Sequence, residues 1–136
     1  MGKVRETAAS LRISGLDLLP DDVSSLLGRQ PDLGYRRGDP MPLPDGRFGA
    51  PARLGMWSIS ADRARPGNLD AQVAELLATV TSDLSIWNRI ASMYDIDLFC
   101  GLFIADGNQG LTLSVTTLQN LSVRGIELDL DIYLAR

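Results

Sequence analysis

The sequence contains no histidine and only one cysteine, Cys100. The lack of histidine excludes Ser-His triads, Cys-His dyads and the zinc sites that use His ligands. A lone cysteine cannot close an internal disulfide, so the fold does not depend on an oxidising compartment. Only carboxylates, Arg, Lys, Tyr, Ser and Thr remain for catalysis. We therefore predict a protein without catalytic residues, bound metal or cofactor.

Long apolar runs are also missing. No stretch reaches the roughly 20 apolar residues of a membrane-spanning helix, and the opening Met-Gly-Lys-Val-Arg-Glu lacks the apolar core of a secretory signal. We expect a cytoplasmic protein that does not bind membranes. Its net charge of −4 makes it a poor binder of nucleic acid, because phosphate affinity comes from clustered cations. One core is expected at 136 residues, so residues 1–136 are predicted to form a single domain.

The clearest pattern present is helical. Residues 69–94 contain neither glycine nor proline, and their apolar residues recur at steps of three and four. This spacing predicts a long helix that is capped by Asn68 and buries one side. Thr81, Ser82 and Asp83 are weak helix formers, so the helix is expected to kink or restart there.

The remaining elements follow from alternation and from capping residues. Alternating apolar residues predict strands at 7–14, 56–61, 95–105 and 126–134, with a brief strand at 111–113. Helices are predicted at 20–27, before Gly28, and from the capping Ser114 to 123. In the last strand Ile126, Leu128, Leu130, Ile132 and Leu134 are predicted to face inward. Such clean alternation favours a sheet covered on one face, so we predict an α+β two-layer sandwich with a ferredoxin-like arrangement.

Residues 29–55 form a long irregular segment with glycine or proline every few residues. Residues 29–65 contain seven arginines and four aspartates, which gives this basic stretch a net charge of +3. Loops of such length are uncommon in compact domains unless they are functional or disordered. Because the loop also carries apolar side chains, we expect it to lie against the domain.

Two groups of residues are candidates for a site. The outward row Glu127, Asp129 and Asp131, beside Asp97, could bind a cation or act as acid and base, but it also fits a solvated sheet face. In the loop, Tyr35-Arg36-Arg37-Gly38-Asp39 presents two guanidinium groups that could clamp an anion.

We expect the loop arginines to pair with the domain's own acids and to pack against the outward aromatic rings. The loop would then cover the acidic sheet face and leave a polar-aromatic cleft at its edge. The residues predicted to bind a partner or ligand are Tyr35, Arg36, Arg37, Asp39, Phe99, Phe103, Asp129, Asp131 and Tyr133.

Several segments, in order, resemble the bacterial domain of unknown function 4279 family. They are LRISG, LLPDDVSSLLG, YRRGDP, GMWSIS, DLFCGLFI, GLTLS and the terminal IELDLDIYL. The resemblance runs from about residue 8 to residue 134. It implies a small, stand-alone cytoplasmic bacterial domain, and it implies no activity.

The leading functional hypothesis is a non-catalytic module that recognises another protein through its acidic and aromatic sheet face. One alternative is a sensor domain in which Arg36 or Arg37 holds a small anionic ligand. Another is an enzyme that uses Asp129 or Asp131 as acid or base. The sequence leaves a monomer and a homodimer open, since Phe99 and Phe103 would form an attractive patch if the loop leaves them bare.

Overall fold

A computed structural model describes residues 2–134 of the chain. None of the helices in this part has the length and apolar character needed to cross a bilayer. The elements are, in chain order, β1 (Gly2–Lys3), β2 (Glu6–Gly15), α1 (Pro20–Leu27), β3 (Leu33–Tyr35), β4 (Gly55–Ser60), α2 (Leu69–Ala78), α3 (Leu84–Met93), β5 (Asp95–Ile104), β6 (Gln109–Gly110), α4 (Val115–Val123) and β7 (Glu127–Leu134).

Five strands form one mixed sheet in the order β3-β4-β2-β5-β7, and β1 pairs separately with β6. β2 is antiparallel to both of its neighbours, whereas β5 and β7 are parallel. The ferredoxin-like arrangement is not confirmed. That arrangement is built on split strand-helix-strand units, whereas α4 connects β5 to β7, which lie side by side in the sheet.

One side of the sheet, the inner face, is covered by helices. Leu11 and Leu98 are directly opposite each other in the β2-β5 ladder and are almost fully buried on this face. The four helices within residues 2–134 bury side chains in the same cluster, among them Val23, Leu76, Trp87 and Leu121. The prediction of an α+β fold with one sheet and helices on one face is confirmed.

Cys100 lies on the inner face of β5 and is closed to solvent. Burial raises the pKa of its thiol to about 12, because the thiolate would lose its hydration there. At neutral pH the thiol is therefore protonated, and Cys100 acts as a small core side chain.

The apolar stretch 69–94 forms two helices, α2 and α3, rather than one. They are separated at 79–83, where the weak helix formers predict a kink or restart. Asp83 starts α3, since its carboxylate accepts a hydrogen bond from the Ser85 backbone N–H at 2.9 Å. Asn68 caps α2 as predicted.

Asp70, in the first turn of α2, holds the start of a second helix. Its Oδ1 accepts hydrogen bonds from the Thr117 hydroxyl at 2.6 Å and from the Ser114 backbone N–H at 3.0 Å. These bonds, first that from Thr117, hold the pKa of Asp70 below its usual value. Ser114 caps α4 as predicted, accepting from the Thr117 N–H at 3.1 Å. One carboxylate therefore ties α2 to α4.

Replacing Asp70 with alanine is expected to lower the free energy of unfolding by about 1.5 kcal/mol at pH 7, the lower end of what a hydrogen bond to a charged group contributes, since Asp70 is half-buried. Because the pKa of Asp70 is lowered in the fold, its contribution is complete above the unfolded pKa of about 4 and disappears as pH falls through the folded value. Urea unfolding of both proteins at several pH values tests this. Glu75→Ala, on the exposed side of α2, is the control. A loss that stays constant down to pH 2 would contradict the assignment.

The segment 29–55 is not entirely irregular, because β3 pairs antiparallel with β4. It also does not press its apolar side chains against the domain as expected. Leu33, Leu43 and Leu54 are exposed, and Phe48 is 67% accessible. The pairing of β3 holds the loop at one edge of the sheet, and the rest of the segment extends from that edge.

One prediction about the C-terminal third is wrong. The short strand is at Gln109–Gly110, where it pairs with β1, and not at 111–113. The predicted inward row of β7 does lie on the inner face, since Leu130 is opposite the buried Cys100. It is covered only in part, because Leu130, Ile132 and Leu134 remain exposed. A nine-residue helix such as α4 is about 13 Å long. An eight-residue strand such as β7 spans about 27 Å, so α4 cannot cover the far half of β7.

Candidate functional site

The side of the sheet away from the helices, here called the outer face, collects polar and aromatic residues from β2, β5 and β7. Residues directly opposite each other in neighbouring strands point to the same side of a sheet. The register sets Arg12 beside Asp97, and it sets Phe99 between Ser10 and Asp129. Rows that are distant in sequence therefore meet on one surface.

Arg12 is the centre of the first cluster on the outer face. Its Nε and Nη2 donate to the two carboxylate oxygens of Asp97 at 2.9 and 2.6 Å, a bidentate pair. Asp97 raises the pKa of Arg12 through these hydrogen bonds. The guanidinium also lies 4.3 Å from the centre of the Phe99 ring. Asp129 is 3.7 Å from Nη2, too far for a direct hydrogen bond.

A second cluster forms around Glu6, at the start of β2. Its side chain is only 5% exposed, and it pairs with Arg63 at 2.6 Å and with Arg65. The hydrogen bond from Arg63 is the main reason that the pKa of Glu6 is lowered. The Arg63 guanidinium lies 4.8 Å from the centre of the Phe103 ring. Glu6 thus fixes a cation above an aromatic side chain of the outer face.

Phe103 and Tyr133 form an aromatic pair across β5 and β7 on this surface. Their rings stack with centroids 5.0 Å apart and an interplanar angle of 12°. The Tyr133 hydroxyl donates a hydrogen bond to Asp131, which raises the pKa of Tyr133 and keeps it protonated. Gly101 leaves room for Phe103, because a Cβ at that position would lie only 3.2 Å from the ring. The aromatic pair is therefore held flat against the sheet.

The acids of β7 are only weakly neutralised by cations of the outer face. Asp129 is 57% exposed, with Arg12 as its nearest cation. Within residues 2–134, neither Glu127 nor Asp131 forms an ion pair with an arginine or lysine. No group of three or more acidic or cysteine side chains in this range could hold a metal ion. Glu127, Asp129 and Asp131 therefore give the β7 side of the outer face a negative charge.

The structure brings six of the predicted site residues to the outer face and leaves three elsewhere. Asp129, Asp131 and the rings Phe99, Phe103 and Tyr133 share this face on β5 and β7. Tyr35 is on the same face but on β3, since the register sets it beside Met56, which is opposite Ser14. Arg36, Arg37 and Asp39 follow it at the edge of the sheet opposite β7.

The expectation that the loop covers the acidic face is therefore wrong. Arg37 pairs with Asp17 at 3.4 Å, and Arg47 pairs with Asp45 in its own turn. In the described part of the chain, no arginine of 29–55 pairs with an acid of β5 or β7. Because β3 pairs with β4, these arginines lie near the β3 edge of the sheet, away from β5 and β7.

A surface pocket of about 640 Å³ lies beside the segment 35–39. Arg36 lines it, but so do Asp21, Asp22 and Asp39. Asp39 also accepts a hydrogen bond from the Arg36 backbone N–H at 2.8 Å. With three carboxylates around one guanidinium, the pocket does not favour an anionic ligand.

Sequence reasoning missed the cations that do reach the acidic face. Arg12 lies in the outward row of a correctly predicted strand, so alternation alone gives its side of the sheet. Its partner Asp97 is 85 positions away, and pairing them requires the strand order. Arg63 belongs to the basic stretch 29–65, but no local pattern marks it as the arginine that reaches Phe103, or Glu6 as its partner.

Comparison with known proteins gives one family. A model of the family described as Domain of unknown function (DUF4279) matches residues 5–135. No curated protein and no solved structure matches the chain. The match covers nearly the whole chain and confirms the resemblance found in the sequence, so the protein belongs to the DUF4279 family.

Proposed function

We propose that this protein is a non-catalytic interaction module that binds a basic protein surface through its outer face. One observation carries the proposal: the acids of β7 stand in a row on an open sheet face, with Arg12 as the cation nearest to Asp129. Glu127 and Asp131 keep their charges available for cations of a partner. We place the module in the bacterial cytoplasm, as the family resemblance implies.

The neighbouring side chains support this role because they are already ordered. Arg12 is held by Asp97, and Tyr133 is held by its stacking on Phe103 and its hydrogen bond to Asp131. Aromatic residues and arginine are enriched in protein interfaces. Fixing them before binding lowers the entropy that association costs.

The two alternatives have less support. A sensor for small anions would use Arg36 or Arg37, but the pocket beside Arg36 is acidic. An acid-base enzyme would use Asp129 or Asp131. These carboxylates lie on an open face, where water screens charge, whereas active sites usually exclude water to strengthen such interactions.

Reversing the charge of Asp129 tests the proposal. Asp129→Arg is expected to weaken partner binding about tenfold or more, because a cation would meet the basic surface of the partner. Tagged wild-type protein and the variant would each be used to recover partners from cells of the source organism. The recovered partner would then be titrated against both by isothermal calorimetry, at two salt concentrations.

Asp21→Arg is the matched control, since Asp21 is an exposed acid on α1, in the helical layer. Its affinity for the partner should equal that of the wild type. If Asp129→Arg and Asp21→Arg bind the partner equally well, the outer face is not the binding surface and the proposal fails.

A further inference from the structure

Beyond the outer face, β7 offers a second means of contact, its free edge. β7 pairs with β5 on one side, and no strand within residues 2–134 pairs with its other side. Its eight residues contain no proline or lysine, and none of its charges points to the inner face. Natural edge strands usually carry such features or other charged side chains to prevent pairing, and β7 has only its outward acids. The edge of β7 is therefore open to an added strand that does not set like charges against these acids.

An apolar groove adjoins this edge on the inner side. It has a volume of about 680 Å³, and its lining includes Leu102, Ile104, Leu118, Leu130 and Ile132. Leu130 is 45% and Ile132 60% exposed, although both alternate with acids in a regular strand. An added strand would lie about 4.8 Å from β7. Its inward side chains would then cover these residues and the rim of the groove.

The outward row of β7 determines what the other side of such a strand must carry. Glu127, Asp129 and Asp131 stand at alternate positions, about 7 Å apart. A side chain directly opposite an acid is stabilised by opposite charge and destabilised by like charge. The complementary strand therefore alternates basic with apolar residues.

A second copy of β7 does not meet this requirement. Two copies that pair antiparallel with their outer faces on the same side have two registers of fullest overlap. One sets Asp129 opposite the copy's Asp131, and the other sets the two Asp131 residues opposite each other. Both oppose like charges.

We propose that the edge of β7 binds an extended segment of a partner protein in which lysine or arginine alternates with branched apolar residues. The segment extends the sheet by one strand, with its cations against the β7 acids and its apolar side chains over the groove. This inference rests on the proposed interaction function and names the form of the partner.

The test uses the full chain and two end-capped peptides of the same composition. One alternates Lys and Val over eight residues, and the other has the order Lys-Lys-Val-Val-Lys-Lys-Val-Val, which cannot place all its lysines on one side of a strand. We expect the alternating peptide to bind at least tenfold more tightly. It should also slow amide exchange in β7, as measured by NMR, because strand addition ties up backbone N–H groups.

Ile132→Lys is expected to weaken binding of the alternating peptide about tenfold, because it sets a cation on the apolar side of the edge. Leu33→Lys changes an equally exposed residue on the opposite edge strand and should have no effect. The proposal is overturned if both peptides bind equally without slowing exchange in β7. It is also overturned if light scattering shows a wild-type dimer that Ile132→Lys converts to a monomer. If Asp129→Arg weakens binding of the partner protein and Ile132→Lys does not, the outer face binds the partner and only the proposed strand addition is wrong.

Discussion

Replacing Trp57 with alanine is expected to lower the free energy of unfolding by about 3–5 kcal/mol, the usual cost of removing a buried large aromatic side chain. Trp57 lies on the inner face of β4 and is fully buried. Its indole N–H donates to the Ser24 hydroxyl of α1 at 3.1 Å. The substitution therefore leaves a cavity and also removes a hydrogen bond between the sheet and α1.

Urea unfolding followed by far-UV circular dichroism measures this loss. Trp57→Phe is the matched variant, because it keeps an aromatic ring in the core but cannot donate to Ser24. It should fall between the wild type and Trp57→Ala. A loss below about 1 kcal/mol for the alanine variant would show that the core collapses around the missing ring.

Replacing Gln72 with methionine is expected to cost about 2–3 kcal/mol, although the side chain keeps its length. Gln72 is buried on α2, and its Nε2 donates to the carbonyls of Thr7 at 2.9 Å and Asp62 at 2.8 Å. Its Oε1 accepts from the Thr7 hydroxyl at 2.7 Å. The substitution removes these three hydrogen bonds, each of which contributes about 1 kcal/mol net, and Met offers no replacement donor.

The same substitution should disturb the outer face. Asp62 precedes Arg63, so loosening this segment frees the Arg63 guanidinium from the Phe103 ring. Urea unfolding gives the energetic loss, and changes in the ring proton shifts of Phe103 report the second effect. Glu75→Met, an exposed position on the same helix, should change stability by less than about 0.5 kcal/mol. If the Phe103 ring proton shifts are unchanged in Gln72→Met, the hydrogen bonds of Gln72 do not control the position of Arg63 on the outer face.

The sequence predicts the main strands closely because every second residue of a strand points to the same face, so the apolar residues mark the face that the helices cover. In the strand predicted at 95–105, the alternate residues Ile96, Leu98, Cys100 and Leu102 are buried and Ile104 is half-buried. Helical periodicity predicts less completely where one helix ends and the next begins. The apolar rhythm runs through 79–83, and only the weak helix formers Thr81, Ser82 and Asp83 mark the break before α3.

What could not be predicted depends on neighbours rather than on local pattern. The three residues of β3 have no strand signal of their own, and they become a strand because the edge of β4 is available. The bidentate pair of Arg12 with Asp97 likewise depends on β2 lying beside β5. The exposed row of β7 follows from the short span of α4, which alternation does not reveal.

Cys100 can report the opening of the sheet in every variant described above. Its thiol lies in a central strand, closed to solvent and protonated at neutral pH. An alkylating reagent can reach it only in molecules whose sheet has opened, where the thiol regains its ordinary reactivity. The chain has a single cysteine, so each alkylated molecule gains the mass of one label. The rate at which the protein gains this mass in the presence of the reagent measures how often the strands of the sheet separate, without an added dye or a second label.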